Sequence, residues 1–412
     1  MKTNQENSAI RPLSLYAIAI LALLSAVAPL ATDMYLPGFP LLSADLGASA
    51  TEVQLTLTAF LVALALGQLL FGPLSDRYGR RRPLIMGTSL AVVAGVLCVV
   101  TPDVHTLMVM RALQGIGGAA GVVLARAIIA DSTTDEVTSA RLFQLMMIIG
   151  GLAPVLAPIV GTGIVAVAGW RAIFAVVALL SLTALAGVLF FIQESLPEEK
   201  RTAGGVAELW TKTKTLAGNR SYIGYTRTVG FTFMVLFSYI AASPFVYQNI
   251  LGLSPTAYSI AFGINASAMI LGGVLSAWLV ERVGPRRLTL YGLGIIQVSV
   301  LLVFLCVLTE AGPWLMAPAI FMAVAPVGMI LGNASALAIA QARDEAGTAS
   351  AVLGASQFIL GGIASPLVGL AGKHDALPMA IVMMLAAPLA LACFSLATTR
   401  TKTFSEPLEM SA

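Results

Sequence analysis

The sequence predicts an all-α membrane protein with twelve transmembrane helices arranged in two six-helix halves. Three observations support this prediction: an apolar composition, evenly spaced apolar runs, and a short basic segment that occurs twice. Of the 412 residues, 58% are hydrophobic and only 10% are charged, with a mean hydropathy of +0.91. Soluble domains contain about 25% charged residues. A water-soluble core of this length cannot hide so much apolar surface, so a membrane location follows.

Apolar runs long enough to cross a bilayer, about 20 residues each, divide the chain. In the predicted N-terminal half, residues 1–192, they cover 13–35, 52–74, 83–101, 105–126, 141–165 and 170–192. In the predicted C-terminal half, residues 222–412, which ends in a short tail, they cover 222–243, 256–280, 287–308, 313–340, 347–371 and 377–398. An even number of spans places both termini on the same side of the membrane.

The first run also has features of a secretory signal peptide. Lys2 and Arg11 precede the apolar residues 13–30, which contain the small-residue sequence Ala26-Val27-Ala28. However, the run is longer than the apolar region of a usual signal peptide, about 7–15 residues. Its removal would also leave an odd number of spans. We therefore expect it to be the first transmembrane helix.

A short basic segment, which we call the hinge, separates the second and third spans. It covers residues 72–82, with the sequence GPLSDRYGRRR, and a weaker copy, ERVGPRR at residues 281–287, follows almost half the chain length later. Charge at membrane depth is costly unless it is paired, so the hinge must lie outside the spans. Pro73 is expected to end one helix and Pro83 to open the next. The copy indicates two related halves.

The positions of the basic residues predict the orientation of the spans, because Lys and Arg concentrate in cytoplasmic loops. One side of the predicted topology carries Lys2, Arg11, Arg77, Arg80, Arg81, Arg82, Arg126, Arg141, Lys200, Arg201, Lys212, Lys214, Arg220, Arg282, Arg286, Arg287, Arg343, Arg400 and Lys402. The other side has only Arg111, Arg171 and Lys373 near it. Both termini are therefore predicted to be cytoplasmic.

The one long polar stretch, residues 193–221, is predicted to join the two halves as a cytoplasmic central loop. Within it, Leu209 and Trp210 are followed by the polar residues 211–214, which fits a helix over 206–216 lying on the membrane surface. A solvated linker fits the same residues equally well.

Several functional classes are disfavoured by the composition. The net charge of +3 follows from topology and forms no basic patch for nucleic acid. The three cysteines lie inside apolar runs, which predicts buried thiols, and the two histidines have no spacing typical of a metal site. No nucleotide-binding phosphate loop and no interfacial cluster of His, Asp or Cys is present, so neither a nucleotide-driven pump nor an enzyme is expected, and no cofactor.

Taken with the six-plus-six arrangement, the hinge resembles the signature of the major facilitator superfamily. Two further segments agree with it: residues 111–118, RALQGIGG, in the fourth span, and residues 151–161, GLAPVLAPIVG, in the fifth. The second of these is similar to a pattern of drug:proton antiporters and includes Gly151, Pro154, Pro158 and Gly161. The chain departs from the common exporter pattern at Ala157, where that pattern has Gly.

Within this group the chain is most similar to the Bcr/CflA-type multidrug exporters. The supporting segments are 32–37 (TDMYLP), 170–174 (WRAIF), 194–197 (ESLP), 243–247 (SPFVY) and 346–350 (AGTAS). The resemblance covers essentially the whole chain. It implies a proton-coupled exporter in a bacterial inner membrane, with protons, lipid and a small lipophilic or amphipathic compound as partners, acting as a monomer.

Asp33 is the sharpest candidate for proton coupling, since it is the only acidic residue clearly inside a span. Intramembrane ionisable residues are functional by default, and in the exporters that the chain resembles, the acid on this helix is the proposed proton site. The alternative is a hydrated residue at the outer helix end. Arg111 is the second candidate: it either reaches the outer interface or approaches Asp33 when the cavity closes and favours release of its proton.

The hinge is expected to form a cytoplasmic gate, with Arg126 as a partner of Asp76, although a purely topological role fits too. The gate candidates are Gly72, Asp76, Arg77, Gly79, Arg80, Arg81 and Arg126. The candidates for a substrate cavity are Asp33, Tyr35, Gln114, Phe237, Tyr239, Asn265, Asn333 and Gln357. For each aromatic residue a lipid-facing role, and for each amide a hydrogen bond between helices, is an equal alternative.

The sequence therefore predicts a secondary transporter that exports amphipathic or lipophilic compounds in exchange for protons by alternating access. The main rival is proton-coupled transport of a normal metabolite, such as an amino acid or a sugar, for which more polar residues would be expected in the spans. A channel or receptor is disfavoured, because a half-chain repeat is typical of two halves that rock about a central site.

Overall fold

The computed structural model describes residues 14–132, 136–201, 205–342 and 346–399, which are helices joined by short turns. The α-helices are α1 Leu15–Asp33, α2 Phe39–Asp45, α3 Ala50–Tyr78, α4 Arg81–Val99, α5 Val104–Ser132, α6 Glu136–Phe191, α7 Gly205–Gly218, α8 Arg220–Phe245, α9 Pro255–Val283, α10 Pro285–Leu308, α11 Pro313–Val324, α12 Val327–Ala340, α13 Ala346–Leu367 and α14 Leu377–Thr399. No strand occurs among these residues.

Eleven stretches of the described chain are long and apolar enough to cross a membrane, and one of them, Leu152–Phe191, contains two of the predicted spans. Helix α6 turns at Gly169, whose φ of 75° lies in the left-handed region that glycine adopts readily. The chain reverses there: Gly38, beyond one end of α1, lies beside Trp170, while Tyr16 at the other end stacks on Phe191. The predicted division of this part of the chain into a fifth and a sixth span is thus confirmed.

The structure divides one predicted span into two helices and contains the helix predicted in the central loop. The tenth span, predicted as one helix over 313–340, consists of α11 and α12 with a break at residues 325–326. Pro326 lacks the N–H that would continue the backbone ladder. In the central loop, the helix predicted over 206–216 is present as α7. Its position on the membrane surface stays a prediction.

The prediction that Pro73 ends the second span was wrong. Helix α3 continues through Pro73 to Tyr78 and ends where Gly79 takes a φ of 86°. Proline removes one donor from a helix but leaves the following turn intact. Here the last turn is held by the Ser75 hydroxyl, which donates to the Gly72 carbonyl at 2.7 Å, so the helix does not stop until a glycine can reverse the backbone.

Each half has its own packed centre. In the first half α1 packs on α6, and α5 packs on α3 and α4; in the second half α8 packs on α12, α13 and α14. The two halves meet along two helix pairs, α3 with α13 and α6 with α9. We call the end of the bundle that carries residues 72–82 the hinge end, and the end that carries residues 46–49 the opposite end.

At the opposite end the halves are joined by a polar seam between α3 and α13. On α3 the seam residues are Thr51, Gln54 and Thr58, and opposite them lie Gly362 and Ser365 of α13 and Gly369 just beyond its end. Both sets are spaced three and four residues apart, so each set lies on one face. The bonds are Thr51 Oγ1 to the Gly369 carbonyl at 2.7 Å, Thr58 Oγ1 to the Gly362 carbonyl at 2.9 Å, and Ser365 Oγ to the Gln54 carbonyl at 2.9 Å. Gln54 Nε2 also donates to the carbonyl of Ala241 on α8 at 3.0 Å.

The seam leaves no space beside Gly369. A Cβ atom there would lie 2.0 Å from Gln54 Oε1 and 2.9 Å from backbone atoms of Thr51. The opposite end is therefore closed by direct contact of the two halves. At the hinge end the same helices separate, and a cleft of about 610 Å³ lies between them.

We expect Gly369→Ala to open the seam, because the added methyl group overlaps backbone atoms of α3 that cannot move independently. Spin labels at two exposed loop positions of the opposite end, Asp103→Cys and His374→Cys, report the distance between the halves in a variant that lacks the native cysteines. The distance distribution should shift toward longer distances in electron–electron double resonance.

Gly294→Ala is the matched control, since nothing lies within 4 Å of a Cβ atom at Gly294. It should leave the distribution unchanged. If Gly369→Ala gives the same distribution as Gly294→Ala, the seam does not close this end of the protein.

Candidate substrate cavity and proton site

A cavity of about 470 Å³ lies between the halves near the middle of the bundle. This volume falls within the range of small-molecule sites, about 300–1,000 Å³. The lining residues are Ser25, Ala28, Pro29, Thr32, Asp33, Leu61, Leu64, Val122, Arg126, Pro154, Phe233, Leu236, Phe237, Tyr239, Ile240, Phe262, Ala266, Met269, Val324, Gln357 and Phe358. Most are apolar, and of the few polar side chains three, those of Ser25, Thr32 and Asp33, lie on α1.

Asp33 is the last residue of α1 and lies in this wall, only 5% exposed. Two neighbouring helices hold the segment that carries it. On one side Arg111 Nη2 of α5 donates to the carbonyl of Ala31 at 3.0 Å. On the other side α6 lies so close that a Cβ atom on Gly161 would be 1.9 Å from the carbonyl oxygen of Met34. The backbone around Asp33 is thus fixed between α5 and α6.

The cavity-facing side of α1 also has an interrupted backbone ladder. Pro29 lies inside the helix and has no N–H, so the carbonyl of Ser25 loses its usual donor. The hydroxyl of Ser25 has no hydrogen-bond partner within the described part of the chain. Ser25, Pro29, Thr32 and Asp33 all line the cavity, and Thr32 Oγ1 donates to the Pro29 carbonyl at 2.8 Å, so the polar group that α1 leaves unpaired near the carboxyl group is the Ser25 hydroxyl.

Arg111 does not contact Asp33 in this conformation. Its side chain is fully buried; Nη1 donates to Gln114 Oε1 at 2.6 Å, and the guanidinium carbon lies 4.6 Å from the ring centre of Tyr35 and 4.3 Å from that of Phe60. An aromatic face attracts a cation at such distances. Arg111 therefore acts here on the backbone of α1. The expectation that it reaches the outer interface is wrong, and its role in proton release stays a prediction.

Of the eight residues predicted for the cavity, four line it: Asp33, Phe237, Tyr239 and Gln357. Tyr35 and Gln114 lie outside it, because both are drawn to Arg111, and the Tyr35 hydroxyl also lies 3.3 Å from Thr56 Oγ1. The structure places these two behind the wall. Their predicted contact with substrate is not formed in this conformation.

The remaining two predicted cavity residues make hydrogen bonds between helices. Asn265 Nδ2 of α9 donates to the hydroxyl of Tyr239 at 2.9 Å, and Asn333 Nδ2 of α12 donates to Ser276 Oγ of α9 at 2.6 Å. Neither lines the cavity. Asn265 nevertheless bears on it through Tyr239, because a hydroxyl that accepts from Asn265 keeps its own proton free to donate elsewhere.

At the hinge end, the cleft is lined by four of the predicted gate residues, Gly72, Asp76, Arg80 and Arg126. The expected pair of Asp76 with Arg126 is not formed. Asp76 instead pairs with Arg80 one helical turn away, and Arg80 Nε also donates to Asp131 Oδ2 of α5 at 2.8 Å. Burial disfavours the charged guanidinium of Arg80, but the carboxylates of Asp131 and Asp76 outweigh this effect and raise its pKa above the ordinary value.

The rest of the hinge is held from the first half alone. Glu194 Oε1 accepts from the backbone N–H of Arg80 at 2.7 Å, and Oε2 accepts from that of Arg81 at 3.2 Å. Arg81 Nη2 reaches the carbonyl of Leu189 at 2.9 Å, whereas Arg77 is exposed and lies over the ring of Tyr78. Within the described residues, none of these contacts crosses to the second half.

The fifth-span pattern meets α9 of the second half. Pro158 supplies a carbonyl that accepts from Ser259 Oγ of α9 at 3.1 Å, and Pro154 lines the cavity. Gly161 packs on Met34 as described. The surroundings of Gly151 lie outside the residues whose side chains the structure describes.

Sequence reasoning missed several parts of the site. Asp131 and Glu194, which bind the hinge, lie far from it in sequence, although the ESLP segment contains the second. Phe233 and Phe237 lie four residues apart on the same face of α8, and both line the cavity. Since Phe237 was predicted as a lining residue, this spacing could have indicated Phe233 as well. Arg126 was expected in the gate but lines the cavity as well. Within the described chain, no group of three His, Cys, Asp or Glu could hold a metal ion.

Comparison with known proteins decides the family. The model of the Major Facilitator Superfamily matches residues 21–366. The chain belongs to this superfamily. The match extends from the middle of α1 to the end of α13 and so includes both walls of the cavity.

Two curated relatives and one solved structure illustrate the likeness. The chain is 38% identical over 388 residues to the uncharacterized MFS-type transporter YdgK of Bacillus subtilis, covering 92% of this chain and 95% of that protein. It is 31% identical over 383 residues to the bicyclomycin resistance protein homolog of Haemophilus influenzae, covering 93% and 96%. Its fold is similar to that of the xylose transporter XylE from E. coli in a partially occluded inward open conformation, with a TM-score of 0.70, 15% identity, and coverage of 96% and 99%.

We expect Gly161→Ala to weaken the packing of α6 on α1, because the new methyl group meets the Met34 carbonyl. Overpacking of this kind costs about 1–3 kcal/mol, which unfolding by sodium dodecyl sulfate titration would measure. Gly163→Ala is the matched control, since nothing lies within 4 Å of a Cβ atom there. Equal stability of the two variants would contradict the contact.

Proposed function

We propose that this chain exports amphipathic or lipophilic compounds from the cytoplasm in exchange for protons, by alternating access of one central cavity. The observation that carries the proposal is the combination of a drug-sized apolar cavity with one buried carboxyl group, Asp33, in its wall. The walls suit a lipophilic compound, and the carboxyl group can carry a proton. The name of the Haemophilus influenzae relative, a resistance protein homolog, agrees with a role in export.

The proposed orientation places the hinge end and both termini in the cytoplasm of a bacterium, with the chain in the inner membrane. The support is the concentration of Lys and Arg at the hinge end. In this orientation the cleft opens toward the cytoplasm and the seam faces outward, so the conformation described is ready to accept a compound from the cytoplasm. The cavity is enclosed by one chain, which supports function as a monomer.

In the proposed cycle, protonation of Asp33 alternates with binding of the compound in the cavity. Asp33 accepts a proton from the outside while the compound leaves, and it releases the proton inward as the next compound binds. Entry of one proton gains about 2.3 kcal/mol per 100 mV of membrane potential. Since 1.4 kcal/mol is a factor of ten, one proton supports a concentration gradient of roughly tens-fold.

Transport of a normal polar metabolite is the rival within the same superfamily. A bound sugar or amino acid needs polar groups of the protein as hydrogen-bond partners. Burying its own polar groups against apolar walls without such partners is unfavourable. The lining of this cavity has few polar side chains among many apolar ones. The geometry therefore favours a lipophilic compound.

We expect Asp33→Asn to abolish proton-coupled export while the compound still binds, because asparagine keeps the size of a protonated carboxyl group but cannot release a proton. Purified protein in liposomes, with a pH-sensitive dye inside, reports proton flow after a lipophilic dye is added. The coupled proton flux should fall at least about tenfold.

Asp103→Asn serves as the control. Asp103 is an exposed loop residue whose carboxylate accepts from the Thr106 N–H at 2.8 Å, and asparagine can accept the same bond. It should transport like the natural protein. Undiminished proton-coupled export by Asp33→Asn would show that Asp33 is not the coupling residue.

A further inference from the structure

Arg126 occupies a distinctive position between the two open spaces of the protein. It lines both the central cavity and the cleft at the hinge end, so its side chain lies beside both spaces. The side chain is exposed to these spaces and is not packed into the bundle. Helix α5, which carries it, is held to α3 and α4 in the first half, so its position is well defined.

Arg126 has no acidic partner within the part of the chain that the structure describes. Asp76, the nearest carboxylate by sequence reasoning, is taken by Arg80, and Arg80 also takes Asp131. The guanidinium group of Arg126 therefore faces the cleft and the cavity without a carboxylate beside it. A ligand that brings an anionic group would form charge-assisted hydrogen bonds with it, which are the strong ones.

The charges around the cleft favour the same kind of ligand. Among the described residues its charged lining groups are Asp76, Arg80, Arg126 and Lys212. Arg80 is shared by the carboxylates of Asp76 and Asp131, so with Arg126 and Lys212 these five groups carry three positive and two negative charges. A cleft lined mainly by one sign of charge raises the local concentration of ligands with the opposite sign. An anionic compound is thereby drawn toward Arg126 before it reaches the apolar part of the cavity.

Beyond Arg126 the cavity is apolar and aromatic. Phe233, Phe237 and Phe358 form one cluster of its wall, with ring centres 4.7 Å apart for the first pair and 5.4 Å apart for Phe233 and Phe358. Such faces suit a flat aromatic body. A ligand with an aromatic body and an anionic group at one end would satisfy the cluster and the guanidinium together.

We propose that Arg126 is the specificity-determining residue for the compounds that this protein exports, and that it selects aromatic amphiphiles carrying an anionic group such as a sulfonate or carboxylate. The proposal rests on the proposed export function and names the substrate class of the same cavity. Asp33 lies in the same wall without an ion pair to Arg126, so the proton and the anion have separate binding groups.

A pair of fluorescent probes that differ only in the anionic group tests this directly. 8-Anilinonaphthalene-1-sulfonate carries the sulfonate, and N-phenyl-1-naphthylamine is the same aromatic amine without it. Binding of each is titrated by fluorescence to the full chain in phosphatidylcholine nanodiscs, with empty nanodiscs subtracted. Arg126→Gln should weaken binding of the sulfonate at least about tenfold, the effect of losing one charge-assisted bond, and should change binding of the neutral amine less than about twofold.

Two further variants separate charge from structure. Arg126→Lys keeps the positive charge and should retain most of the preference for the sulfonate. Arg282→Gln removes an arginine of the same end that lies over Trp278 and lines neither space, and it should bind both probes as the natural protein does. Unchanged binding of the neutral amine to Arg126→Gln shows that this variant is folded.

The outcomes also distinguish this proposal from the proposed export function. Sulfonate binding that is unaffected by Arg126→Gln, equal losses for both probes, or binding of the amine alone to the natural protein would each overturn the role of Arg126. The export function would instead fail if neither probe caused proton flow in liposomes containing the natural protein. Proton flow driven by the amine with an unaltered sulfonate titration would leave export intact and refute only the selection of anions.

Discussion

The protein must hold one ionisable carboxyl group, Asp33, in apolar surroundings and keep the backbone that carries it in a defined position. Burying such a group is unfavourable, so the surrounding chain has to define its position from several sides. Arg111 binds the carbonyl of Ala31, two residues before it, and Gly161 allows α6 to approach Met34, one residue after it. Two segments that sequence comparison associates with the superfamily thus meet at the same short piece of α1.

The two ends of the bundle are held by different kinds of contact. At the opposite end, hydrogen bonds run between the halves along α3 and α13. At the hinge end, the ion pairs of Arg80 stay within the first half and leave the cleft open. A transporter that alternates needs contacts that break on one side while others form on the other. The hinge residues described here are thus held by contacts within the first half while the cleft is open.

Much of this arrangement could be predicted from the sequence, because it depends on local patterns. Apolar runs predicted the spans, including the division between the fifth and the sixth, and the charge in the first span singled out Asp33. The errors concern contacts between distant residues. Asp76 was expected to pair with Arg126 because both lie near the same membrane edge. Instead its carboxylate pairs with Arg80, which lies four residues later on the same segment.

Two further limits of sequence reasoning have the same origin. Pro73 was expected to stop α3, but a proline interrupts only one backbone bond, and the helix end is decided by Gly79. Tyr35 and Gln114 were expected in the cavity, but Arg111 attracts both and draws them behind the wall. A buried cation reorganises its neighbours in a way that periodicity does not reveal. Polar residues near such a cation are poor candidates for ligand contact.

The polar seam has an uneven chemical character. Three of its donors are side chains of α3, while the acceptors that they meet on α13 and α8 are backbone carbonyls. Every residue type supplies a carbonyl, so the acceptor positions Gly362 and Gly369 are constrained chiefly by the space beside them, whereas Thr51, Thr58 and Ser365 must keep a hydroxyl donor. Substitutions should therefore fail for different reasons at the two kinds of position: a larger side chain overlaps the facing helix at an acceptor glycine, and a side chain without a donor loses a hydrogen bond at the other three.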